Sequence, residues 1–122
     1  MVAMGGALGS VARYVMATQA ARLLGGAAFG GTLVVNVIGS VLMGLLAGWL
    51  VSRPDADLEP LRLILGVGFL GGFTTFSAYS LDVVNLIEGR SYGLAITYGL
   101  LSVLLSVAGV MAGLMIARRV FI

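Results

Sequence analysis

The sequence predicts an all-α membrane protein of four transmembrane helices, with the third helix broken near its middle. Three observations carry this reading. Of 122 residues, 60% are hydrophobic and only 10% are charged, with a mean hydropathy of +1.11. Soluble domains carry about 25% charged residues, so a globular fold would leave this chain nothing to cover its surface. Apolar runs of roughly 18 to 25 residues recur, each long enough to cross the ~30 Å hydrocarbon core. One of them is interrupted by Gly71-Gly72-Phe73-Thr74-Thr75-Phe76-Ser77-Ala78-Tyr79-Ser80. Unpaired backbone in hydrocarbon costs several kcal/mol per group, so an irregular stretch survives there only where protein buries it or where it lines a wet cavity.

The elements follow in order. Segment one runs from about Met1 to Leu24 and is closed by Gly25-Gly26; segment two runs from about Gly31 to Val51. Arg53-Pro54-Asp55-Ala56-Asp57-Leu58-Glu59-Pro60 is the one strongly polar loop, bracketed as a turn by its two prolines. Segment three, about Leu61 to Ile87, holds the glycine–threonine break. Glu88-Gly89-Arg90 turns the chain into segment four, about Ser91 to Ala117, which ends at Arg118-Arg119. Strands are excluded because the runs lack the period-two alternation of membrane barrels. The whole chain, 1–122, reads as a single four-helix transmembrane domain.

The charged residues bound the function classes. All seven basic residues are arginine, and there is no histidine, lysine or cysteine. That removes a thiol nucleophile, a soft-metal site and a histidine proton relay. Arginines at turns and ends are interfacial anchors, not a nucleic-acid patch, and the N-terminal segment lacks the basic start of a cleaved signal peptide. Four crossings place both termini on one side, with Arg53, Arg62, Arg118 and Arg119; Arg22 and Arg90 fall opposite. Four against two favours termini inside by a small margin. So small a bias permits insertion in both orientations, which makes an antiparallel dimer physically possible.

Polar residues form rows inside the apolar helices. Helix two carries Thr32, Asn36, Ser40, Gly44 and Gly48 at i, i+4 spacing, one slowly drifting face. Helix four carries Tyr98, Ser102, Ser106, Gly109 and Gly113, again on one face, and helix one offers Gly5, Gly9 and Arg13. Close helix packing accounts for the glycines, and serine or threonine can bond back to its own helix. Asn36 is different, because a mid-membrane carboxamide brings two donors that need partners. Tyr98, Ser102 and Ser106 form a longer hydroxyl track than packing requires. Arg13 has two readings, a side chain snorkelling to an interface or a positive charge near the entrance of an anion path. For Asp82 and Glu88, late in segment three, anchoring or pairing with an arginine is the reading.

A cation channel would show an acidic ring or a carbonyl filter, and no acid lies in the middle of any segment. Amide and hydroxyl donors, with the positive edges of two rings among Phe73, Phe76 and Tyr79, suit a small polar or anionic solute instead. Core packing is the ordinary alternative for those rings. The broken backbone from Gly71 to Thr75 also frees carbonyls that could take a cation with oxygen ligands.

Three motifs in sequence resemble the small bacterial fluoride channels of the Fluc, or CrcB, family, over essentially the whole chain. They are the glycine-rich opening that ends in Arg13-Tyr14, Gly31-Thr32-Leu33-Val34-Val35-Asn36-Val37-Ile38-Gly39-Ser40, and Gly68-Phe69-Leu70-Gly71-Gly72-Phe73-Thr74-Thr75-Phe76-Ser77. The resemblance implies a fluoride-selective channel for passive export, in the plasma membrane of a prokaryote, built as a dual-topology antiparallel homodimer with two fluoride pathways and a central sodium ion. It implies Asn36 at the pore, Phe76 as the first ring of an aromatic box, and Tyr98, Ser102 and Ser106 as the polar track of helix four; Thr32, from the helix-two row, is read as a pore residue beside them. It implies sodium held by the backbone carbonyls of Gly71 and Thr74, and Arg13 near the vestibule. This chain departs from the family at Tyr79, where a second phenylalanine is common; the ring edge is kept and a hydroxyl is added.

Two other classes compete. A small proton-coupled multidrug exporter also has four helices per subunit, but it needs a titratable carboxylate deep in the bilayer, and Asp82 is the one marginal candidate. A non-transporting assembly factor would use its glycine faces for packing alone, which leaves Asn36 and the hydroxyl track without a role. No enzyme reading survives, since the serines lack a histidine or lysine partner.

Overall fold

A computed structural model describes residues 1–121, and every described element is helical. α1 is Val2–Leu23 and α2 is Ala28–Val51. α3 covers 59–73: an α-turn Glu59–Leu61, a π-wound stretch Arg62–Leu70 and a last α-turn Gly71–Phe73. Thr74 and Thr75 are extended, and α4, Phe76–Glu88, resumes the same rod. α5 is Tyr92–Phe121. These make the four expected rods, with the third broken after Phe73.

Three rods, Ala28–Val51, Glu59–Glu88 and Tyr92–Phe121, are long and apolar enough to cross a membrane. α1 differs. Its 22 residues are long enough at 1.5 Å per residue, but Arg13, Thr18, Gln19 and Arg22 dilute its apolar content. Two boundaries also shift. α2 starts three residues earlier than the apolar run suggests, at Ala28. α5 runs through Arg118 and Arg119, because arginines in a last turn complement the exposed carbonyls of a helix end. The π winding of Arg62–Leu70 has no signal in the apolar pattern.

Each turn has a local cause. Gly25 and Gly26 take φ of 91° and 83°, values that side-chain-bearing residues avoid, and the Gly26 N–H bonds back to the Ala21 carbonyl at 2.6 Å. After α2, the Arg53 guanidinium lies 5.3 Å from the Trp49 ring. Pro60 falls in the first turn of α3, where its missing N–H costs nothing. Gly89 and Arg90 close α4 through N–H bonds to Asn85 and Ile87 at 3.0 and 2.9 Å.

Packing is asymmetric. The α2–α5 contact is the largest. There Gly44 lies against the Val110 carbonyl and Gly113 against the Val41 carbonyl, so closely that a Cβ at either position would overlap the facing backbone. The glycine ends of both polar rows therefore serve packing, as the sequence suggests. α1 packs on α2 and on α3, and touches neither α4 nor α5. α4 touches only α2 and α5. Large apolar side chains such as Leu8, Val67, Leu100 and Leu104 stay exposed, which is costly in water and neutral where lipid is the solvent.

Candidate functional site

The break is held by side chains that replace the missing helical bonds. Asn36 reaches it from α2: its Nδ2 donates to the Thr75 carbonyl at 2.9 Å, and its Oδ1 accepts the Thr75 N–H at 2.8 Å. The Thr75 hydroxyl accepts the Ala78 N–H at 3.1 Å and so caps α4. The Thr74 hydroxyl donates to the Leu70 carbonyl at 2.9 Å. Asn36 therefore finds partners in the backbone of the break itself. One Nδ2 hydrogen is left over for anything in front of it.

These bonds have a second effect. In an unbroken helix the Thr75 N–H would serve the Gly71 carbonyl and the Ala78 N–H would serve the Thr74 carbonyl. Both donors are taken, by Asn36 and by the Thr75 hydroxyl, which leaves the Gly71 and Thr74 carbonyls without their helical partners. These are the two carbonyls that the resemblance assigns to sodium. Neutral, free backbone oxygens are the donor type that a hard cation takes, so the residues fit the ion.

In front of the break lies a groove of about 370 Å³ between α2, α4 and α5, open along one side. Asn36 and Ser40 of α2 form one wall, with Thr74, Thr75, Phe76 and Tyr79 from the break and α4. Ser102 and Ser106 of α5 form the other wall, beside Val103 and Val107. Phe76 is 76% exposed. The Ser102 hydroxyl is the opposite: the residue is only 4% exposed and its Oγ has no partner. A buried hydroxyl without a partner is uncommon and calls for an explanation.

An aromatic row runs from this groove into the protein. Phe76 and Tyr79 have ring centroids 5.4 Å apart, Tyr79 and Tyr98 are 5.5 Å apart, and Tyr98 and Phe29 are 5.3 Å apart, all tilted. The Tyr79 hydroxyl donates to the Gly99 carbonyl at 3.0 Å, and the Tyr98 hydroxyl donates to Asp82 Oδ2 at 3.1 Å. The partner of Asp82 is thus a tyrosine and not an arginine, because Tyr98 faces it directly across α4 and α5.

Seven of the residues singled out by sequence therefore share one groove: Asn36, Ser40, Thr74, Phe76, Tyr79, Ser102 and Ser106. Tyr98, 3% exposed, lies behind Tyr79, and Thr32 is buried with its hydroxyl 3.4 Å from the Ala28 carbonyl of its own helix. Arg13 is half-buried on α1, away from the α4 and α5 walls. Sequence reasoning missed Thr75 as a wall residue, and also Met43. The Thr75 signal was present, since a Ser or Thr one residue before a helix is a common cap.

The family described as CrcB-like protein, Camphor Resistance (CrcB), matches residues 1–114. The chain belongs to the CrcB family. Among its relatives are proteins named fluoride-specific ion channel FluC from Caulobacter sp. (strain K31) and Phenylobacterium zucineum (strain HLK1). Each is 57% identical over 121 residues, covering 99% of this chain and 94% and 95% of theirs. The protein of the same name from Agrobacterium fabrum is 48% identical over 121 residues, covering 99% of this chain and 96% of its own. A CrcB member with helices of this length and hydropathy is a multi-pass protein of the bacterial plasma membrane, and it is not an enzyme.

Proposed function

We propose that the chain is a fluoride-selective channel for passive fluoride export, working as an antiparallel, dual-topology homodimer with a pathway along each groove. The observation that carries this is the groove itself. Half-buried Asn36, exposed Phe76 and Ser102, whose buried Oγ has no hydrogen-bond partner, line one space in an otherwise apolar protein. Fluoride is small and tightly hydrated, so a path for it must replace water by convergent donors and ring edges. The names of the relatives support the same solute. The groove is open on one side, and a second copy would complete its wall. The small arginine bias between the two ends of the helices, four against two, leaves that copy free to insert inverted. In this reading Tyr98 and Thr32 back the polar track, Arg13 lies near the vestibule of the dimer, and sodium sits at the dimer axis on the Gly71 and Thr74 carbonyls, where it locks the breaks of both copies.

Proton-coupled drug export has no support in the groove. Asp82 is engaged by Tyr98 and is not a groove wall. The reading is tested by fluoride efflux from liposomes that hold purified protein. Phe76→Ile keeps bulk but removes the ring edge, and is expected to lower efflux at least tenfold with the fold retained. Unchanged efflux would remove Phe76 from the pathway.

A further inference from the structure

The Tyr79 hydroxyl is the feature that the pathway reading does not use. A phenol has one donor hydrogen, and that of Tyr79 is given to the Gly99 carbonyl of α5 at 3.0 Å. That hydroxyl therefore has no donor hydrogen left for an anion, and Tyr79 remains a lining residue of the groove. A Cβ at Gly99 would stand 3.5 Å from the hydroxyl, in ordinary van der Waals contact, so the bond does not depend on the glycine. A carbonyl oxygen has two lone pairs, so this bond adds to the helical one of α5 and does not replace it.

The tether acts on a lightly held element. α4 touches only α2 and α5, and it starts directly after the extended Thr74 and Thr75. The Phe76 ring is 76% exposed, and its one aromatic neighbour is Tyr79 at 5.4 Å. Tyr79 in turn is fixed at both ends, by its own Cα on α4 and by its hydroxyl on α5. A phenylalanine at 79 would keep the ring contact with Tyr98 of α5 at 5.5 Å and lose only the hydrogen bond to Gly99.

We infer that Tyr79 is a positioning residue: its hydroxyl ties α4 to α5 through Gly99 and so sets the ring pair of Phe76 and Tyr79 at the groove, without touching the ion. The inference rests on the groove being the pathway. Its test has a readout that an ion-binding hydroxyl would not move. Hydrogen–deuterium exchange of the full chain in liposomes is compared for wild type and Tyr79→Phe. The expected result is exchange about threefold faster across 76–88, the size of a typical interhelical hydrogen bond in a membrane. Peptides of α1 stay unchanged, and fluoride efflux falls by a similarly small factor. Unchanged exchange in α4 overturns the inference. A tenfold or larger loss of efflux with unchanged exchange does so as well and assigns the hydroxyl to the ion. Failure of the pathway reading is separate: it shows as unchanged efflux in Phe76→Ile, whatever α4 exchange does in Tyr79→Phe.

Discussion

Asn36→Asp is the sharpest perturbation of the groove, because it changes chemistry and hardly changes shape. Asn36 now makes one bond in each direction with Thr75, at 2.9 and 2.8 Å. A carboxylate keeps the bond from the Thr75 N–H and loses the one to the Thr75 carbonyl, setting two acceptors face to face. Leaving that partner unmet costs about 1–3 kcal/mol, enough to loosen the break without unfolding a four-helix protein. The second effect is on the anion. A unit negative charge about 5 Å from the path repels it by about 3 kcal/mol at an effective dielectric constant near 20. That corresponds to occupancy lower by a factor of roughly one hundred. The assay is fluoride efflux from proteoliposomes, read with a fluoride electrode, beside thermal unfolding of the same preparation. Efflux should fall at least tenfold while unfolding shifts by only a few degrees. Wild-type efflux from a folded Asn36→Asp protein would refute both the clamp and the position of Asn36 on the path.

Ser102→Ala separates function from folding in the opposite way. The Ser102 hydroxyl is buried without a partner, so its removal should leave thermal stability unchanged or slightly higher; fluoride efflux should nevertheless fall severalfold. A loss of stability would mean that the hydroxyl has a structural partner. If sodium binds the freed Gly71 and Thr74 carbonyls, replacing sodium with a large organic cation should lower the unfolding temperature of the purified protein. The shift should grow with sodium concentration as RT ln(1 + [L]/Kd). No dependence on sodium would remove the ion from the account.

Much of this fold is legible in the sequence because its signals are local. Run length against bilayer thickness marks the rods, and Gly25-Gly26, the proline-bracketed loop and Glu88-Gly89-Arg90 mark the turns where the structure has them. The break was also legible, since paired glycines and threonines in hydrocarbon need an unusual environment. What was not legible is long-range. Asn36 and Thr75 are 39 residues apart, and nothing in either helix alone says that one amide closes the backbone of the other. The same holds for Tyr79 with Gly99 and for Tyr98 with Asp82. Spacing on a helix places Thr32, Asn36 and Ser40 on one face, but only the facing helices decide that Asn36 and Ser40 meet the groove while Thr32 is buried.

The central claim is a passive path that takes fluoride in preference to other halides. Its most direct test is wild-type protein in liposomes loaded with equal fluoride and chloride, with the proton gradient collapsed by an uncoupler. Rapid fluoride efflux with little chloride efflux is the predicted result. Equal efflux of the two ions, or efflux that stops without a proton gradient, would contradict it.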